Sequence, residues 1–142
     1  MPTTTLSREE RAAPSGEECL PPSKEERARA LAAIRDTLYV VGGKWKLPII
    51  SALFAGPLRF KELQKVLEDI TPKILSKELK ELELNEFVTR TVYATSPVTV
   101  EYELTAYSQT LGKVMLEMRA WGDQHRKKLK ESSKARRLAS QS

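Results

Sequence analysis

Cysteine occurs once in this chain, at Cys19, and histidine once, at His125. A single thiol cannot close an internal disulfide, which agrees with a reducing compartment. No group of residues has metal-ligand spacing, and no serine, histidine and aspartate are arranged around a strand-turn-helix nucleophile. Gly42-Gly43-Lys44 lacks the spacing of a phosphate-binding loop. No metal, cofactor or catalytic residue is expected, and the sequence argues against an enzyme. Long apolar runs are also missing. Nothing approaches the roughly 18 consecutive apolar residues of a membrane helix, and the opening MPTTTLSREERAAPSGEE has no apolar core of a secretory signal. A cytoplasmic protein that does not enter a membrane is the expectation.

What is present is an ordinary globular balance, 40% hydrophobic and 30% charged over 142 residues, enough for one domain with tails. The formal net charge of +5 and a pI near 9.4 favour polyanionic partners without naming one.

Residues 1–22 are rich in Thr, Ser, Pro, Glu and Arg without apolar periodicity, and read as a flexible arm. Ser23 and Glu26 then form a capping box. Leu31, Ile34, Leu38 and Val41 follow at helical spacing until Gly42-Gly43. KWKLPIISALFAGP is apolar through Trp45, Leu47, Ile49, Ile50, Leu53 and Phe54, so it predicts the most buried helix. Pro48 requires that this helix begin near Trp45 or Lys46, or kink. Beyond Gly56-Pro57, Phe60, Leu63, Val66 and Leu67 share one side of a short helix from Arg59.

The stretch ITPKILSKELKELEL, Ile70 to Leu84, predicts a helix with two unlike faces. At about 100° per residue, Leu75, Leu79 and Leu82 gather opposite Lys73, Ser76, Lys77 and Lys80. Thr71 suits the N-cap and Pro72 position N1. The basic face alone is either a solvated surface, with Glu78, Glu81 and Glu83 balancing its edges, or a face that reads DNA. Context decides, because a short helix joined by a tight turn to a second, basic one is a helix-turn-helix. The period then becomes two. FVTRTVY (87–93) and Val98, Val100, Tyr102 and Leu104 alternate with polar residues around Ala94-Thr95-Ser96-Pro97, which predicts a hairpin. Thr105 can cap a final helix carrying Leu111, Val114, Met115, Met118, Trp121, His125 and Leu129, and the basic end from Arg126 should fray.

The fold expected is mainly α with a small β part (α+β). It is a winged helix-turn-helix over 23–130 with a two-stranded wing, dimerisation helices at 23–41 and 106–130, and a flexible basic tail at 131–142. The apolar stripes of the first and last helices exceed what a small core covers, so Leu31, Ile34, Leu38, Met115, Met118, Trp121 and His125 are candidates for a two-fold contact between copies.

Over Leu38 to His125 the chain resembles the HxlR family of winged-helix transcriptional regulators, relatives of the multiple-antibiotic-resistance regulators. The resemblance rests on VVGGKWKLPII, GPLRFKELQKVL, ITPKILSKELKELE, NEFVTRTVY, VEYELT and EMRAWGDQ, in that order. It implies a homodimer on near-palindromic operator DNA, with the helix at 71–84 in the major groove and the hairpin tip near the adjacent backbone or minor groove. Thr71-Pro72-Lys73 stands where the family commonly has Ser-Gln-Lys, so a glutamine able to address a base is absent. Thr99 stands where a basic wing residue is frequent. Family members that sense oxidants use a cysteine just before the first helix, and Cys19 lies further from Gly42 than is usual.

The candidate DNA contacts are Thr71, Lys73, Ser76 and Lys77 in the groove, with Lys80 on phosphate. Lys44, Lys46 and Arg59 are candidates at helix starts, and Thr95, Ser96 and Thr99 at the wing; Arg90 either lies on the wing or pairs with an acid. Cys19 is either a regulatory thiol or incidental, since neighbouring Glu17 and Glu18 raise a thiol pKa. His125 is either structural or responsive to pH or ligand. The function expected is a sequence-specific, dimeric transcriptional regulator that partners double-stranded DNA and possesses room for a small-molecule, electrophile or oxidant signal. The alternative is a winged-helix protein-interaction module without specific DNA binding.

Overall fold

The computed structural model describes residues 21–141. The element order is α1 (Lys24–Val41), α2 (Lys46–Leu53), β1 (Leu58–Arg59), α3 (Phe60–Leu67), α4 (Pro72–Leu84), β2 (Val88–Tyr93), β3 (Thr99–Leu104), a 3-10 turn (Ser108–Leu111) and α5 (Gly112–Ser140). The chain divides into two units between Arg35 and Asp36.

In the first unit, the Ser23 backbone N–H donates to Glu26 Oε2 at 2.7 Å and the Glu26 N–H donates back to Ser23 Oγ at 3.2 Å, the reciprocal capping box expected. Leu31 and Ile34 lie exposed.

The second unit holds the core. Val41, Ile49, Ile50, Leu53, Leu63, Ile70, Leu75, Leu79, Leu82, Phe87, Val88 and Leu104 form one buried cluster, drawn from the end of α1, from α2, α3 and α4, from the sheet and from the turns on either side of α4. Each such side chain contributes about 1.5–3 kcal/mol on burial. Gly42 closes α1 with its N–H on Leu38 O at 2.8 Å, and a Cβ there would sit 2.1 Å from that same oxygen, so only glycine allows this approach. Helix α2 begins at Lys46 with Trp45 as N-cap. Pro48 therefore occupies the first turn, where its missing N–H has no intrahelical acceptor to lose, and no kink is needed.

Several local expectations are corrected. Leu58 and Arg59 form a third strand, pairing antiparallel with Tyr102 and Glu101, so the sheet is three-stranded in the order β1-β3-β2. Two residues are too few to show a period of two. Val66 is exposed, whereas Leu63 is fully buried and Phe60 and Leu67 are partly so. Val98 lies in the turn, outside β3. Thr105 caps the 3-10 turn, accepting from the Ser108 N–H at 3.2 Å and donating to Glu86 O at 2.6 Å, and α5 starts only at Gly112. At the other end α5 continues as helix to Ser140, where fraying was expected from the basic composition.

Candidate nucleic-acid interface

Helices α3 and α4 meet at a turn anchored by Ile70, which is buried against the core. Thr71 Oγ1 accepts from the Ile74 N–H at 3.3 Å, and Pro72 follows at N1, so the start of α4 is set by its own residues. Leu75, Leu79 and Leu82 are buried, Lys73, Ser76, Lys77 and Lys80 are exposed together on the outer face, and Thr71 is exposed at the N-cap. At its far end the Phe87 N–H reaches Leu82 O at 2.9 Å and the Glu86 N–H reaches Glu83 O at 3.1 Å, a Schellman closure. Glu86 takes the left-handed position, φ 63°, that glycine usually fills.

Charge is distributed unevenly around α4. Lys46 Nζ lies 2.7 Å from Glu78 Oε2 and 2.7 Å from Glu81 Oε2, with only 13% of its side chain exposed. Burial pulls the Lys46 pKa down, but the hydrogen bonds and charges of the two glutamates outweigh it and hold the ammonium above its ordinary value. The same hydrogen bond holds the Glu81 carboxyl below the usual carboxylate range. Lys46 is thus not the open phosphate-binding cation expected of it, because two carboxylates neutralise it and engage two of its three donors. The pair instead joins the start of α2 to α4 and engages Glu78 and Glu81, the latter at the edge of the cationic face where it also feels the charge of Lys77. Spacing at i, i+3 shows that these glutamates share a side of α4; a partner 32 residues upstream of Glu78 leaves no signal in the sequence.

The other candidates are dispersed. Lys44 Nζ sits 4.9 Å from the centre of the Trp45 ring, a cation–π contact at the α2 start. Arg59, exposed, approaches Glu62 at 3.8 Å, and Arg90 is exposed on β2 opposite Tyr102. At the wing, Thr95 Oγ1 donates to Pro97 O at 2.7 Å and lies 3.1 Å from Thr99 Oγ1, so these hydroxyls order the turn first. Ser96 is exposed there and precedes a cis Pro97. Cys19 lies outside the described residues.

Along α5 no side chain is fully buried. Val114, Met118, Trp121, His125 and Leu129 are exposed, with the Trp121 and His125 rings stacked at 4.9 Å, while Met115 is partly covered. Leu38 is likewise exposed, at 62%. Between α2 and α5 an open groove of about 920 Å³ is lined by Leu47, Pro48, Phe54, Met115, Leu116 and Arg119 among others, within the range of small-molecule sites.

Residues 40–130 match the family model described as HxlR-like helix-turn-helix. The chain is similar to the HTH-type transcriptional regulator YdeP of Bacillus subtilis strain 168, 36% identical over 104 residues that cover 73% of this chain and 81% of YdeP. It is 45% identical over 85 residues to the regulator YodB of the same organism, covering 60% of this chain and 76% of YodB. Among solved structures, the reduced form of the redox regulator HypR superposes with a TM-score of 0.66 at 37% identity, over 70% of this chain and 98% of HypR. YodB in its quinone-bound form does so at 0.57 and 38%, over 66% of this chain and 98% of that one.

Proposed function

The chain belongs to the HxlR-like helix-turn-helix family, whose members similar to it are transcriptional regulators rather than enzymes, and from this we propose that it is a sequence-specific regulator binding a near-palindromic operator as a homodimer. The observation that carries the reading is the outer face of α4. Lys73, Ser76, Lys77 and Lys80 are exposed with Thr71, while two of the neighbouring carboxylates are engaged by Lys46. A helix of this kind enters the major groove, with Thr71, Lys73, Ser76 and Lys77 toward base edges and Lys80 on phosphate. Lys44, Arg59 and the wing tip at Ser96 supply flanking backbone contacts.

A two-fold dimer places two such helices about one duplex turn apart. The exposed apolar residues Leu38, Met118 and Trp121, with Met115 and His125, support that contact, because such residues are uncommon in open solvent; Leu31 and Ile34 of the first unit are exposed as well. The signal we assign is an electrophile or oxidant acting through Cys19, supported by the likeness to a redox regulator and to a regulator seen with quinone bound. A cytoplasmic location is part of this reading, since a regulator of this kind works on DNA, and among the described residues no helix is long and apolar enough to cross a membrane.

Genome-wide capture of bound DNA followed by footprinting identifies the operator. With that operator, Lys73→Ala and Lys77→Ala each reduce affinity and lower the salt slope by about one. Unchanged affinity and slope in both variants contradict the assignment of α4. Binding of operator and random duplex with equal strength favours the protein-interaction alternative, since specific binding typically exceeds random by about 10³ or more. Diamide treatment that releases the operator from the chain but not from its Cys19→Ser variant supports the thiol signal; identical behaviour of the two removes it.

A further inference from the structure

The carboxy-terminal half of α5 carries a concentration of charge that the α4 reading does not use. From residue 126 to 140 it holds Arg126, Lys127, Lys128, Lys130, Lys134, Arg136 and Arg137 against the single acid Glu131. With a net charge of +5 for the whole chain, the remainder has no positive excess. All of these cations are exposed, and among the described residues none is in an ion pair.

At about 100° per residue, Arg126, Lys127, Lys130, Lys134 and Arg137 fall within an arc of about 100°. The apolar stripe of Val114, Met118, Trp121, His125 and Leu129 occupies a separate arc; Arg126, at the near end of the cationic arc, also lines the groove between α2 and α5 with Met118. Helix-dipole stabilisation accounts for cations in the last turn only, which covers Arg137 but not Arg126, Lys127, Lys130 or Lys134. Neighbours such as Arg126 and Lys130, or Lys130 and Lys134, are four residues apart and repel, a small cost to the helix that a bound polyanion would remove. The family match ends at residue 130, so Lys134, Arg136 and Arg137 lie beyond it.

We propose that this face of α5 is a second, sequence-independent contact with the phosphate backbone of duplex DNA. The proposal rests on the reading of the chain as a DNA-binding regulator. Eleven residue steps from Arg126 to Arg137 span about 16 Å of helix, comparable with the roughly 12 Å width of a major groove, so the cations reach phosphates on both of its edges. A bilayer surface fits less well. Beyond Leu129 the apolar residues on α5 are Ala135, Leu138 and Ala139, too few for the broad apolar face of an interfacial helix.

The test uses the full chain with Lys127, Lys130, Lys134 and Arg137 all replaced by Gln, which keeps helix propensity. Binding is measured against a random-sequence duplex of about 30 base pairs, the operator, and phosphatidylglycerol vesicles, over a range of salt. The expected result is a loss of random-duplex affinity of about tenfold or more, with a salt slope shallower by about three to four. The operator should lose affinity by the same factor, leaving the operator-to-random ratio unchanged. Unchanged random-duplex affinity and slope overturn the proposal, as does a loss confined to the vesicles. A Lys73→Ala, Lys77→Ala double variant reports separately on α4. If it binds operator normally while the glutamine variant loses random duplex, the α4 reading fails and the α5 contact stands.

Discussion

Lys46 shows how one side chain changes the meaning of its neighbours. Read from its position beside Trp45, it is one more cation available to phosphate; in the fold it is a partly buried tie between α2 and α4. Replacing it with methionine leaves two carboxylates facing an apolar surface, and we expect a destabilisation of about 1–2 kcal/mol by urea denaturation, below the cost of breaking a fully buried pair because the glutamates retain water contact. The pH dependence follows from the depressed Glu81 pKa. Its contribution is present above the ordinary carboxylate range and is lost as pH falls through the lowered value. At the alkaline end, the raised Lys46 pKa keeps the pair intact through the ordinary lysine range, with loss only above it. Urea midpoints measured across pH should therefore show the gap between the native chain and Lys46→Met widest near neutrality and closing in acid. A gap constant from neutral to strongly acidic pH would show that the ion pair is not its source. No property of Lys46 alone could disclose this role, since it depends on a helix that begins far along the chain.

At the scale of the element, α4 was largely legible beforehand. The leucine spacing, the Thr71 cap and Pro72 at N1 are local features, and the structure buries Leu75, Leu79 and Leu82 together. Leu79→Ala should cost about 2–5 kcal/mol, as a full truncation in a packed core; a loss under 1 kcal/mol would mean the leucine face is not packed. The helix exit was less legible, because Glu86 stands where a left-handed closure ordinarily has glycine. Glu86→Gly should relieve that conformation and stabilise the protein by about 0.5 kcal/mol net of chain entropy, raising Tm by about 2–4 °C. A fall in Tm would indicate that the glutamate side chain contributes more than the backbone conformation costs. The wing was recognisable from its alternation, but the third strand was not, since Leu58 and Arg59 are strand only by pairing with Tyr102 and Glu101.

For the whole molecule the main consequence is the apolar surface left on α5. Trp121, at 65% exposure, and Met118, at 49%, are poor residues to leave in water. If they form the proposed two-fold contact, a combined Met118→Lys, Trp121→Glu variant should sediment as a monomer and lose operator binding, because one reading helix cannot span two half-sites. Retention of the native mass by that variant would place the contact elsewhere.

Composition and periodicity by themselves determined the class of fold, the buried and solvent faces of α4, and the presence of a hairpin after it. These depend on local spacing and capping, which a linear pattern records. Only the tertiary structure decided that Lys46 is occupied by Glu78 and Glu81, that Thr105 Oγ1 donates to Glu86 O across 19 residues, and that Leu58 and Arg59 pair with Tyr102 and Glu101. Hydrogen bonds and ion pairs between distant segments depend on which groups meet after folding. The sequence records the groups, and the packing of α2, α4 and the sheet selects the partners.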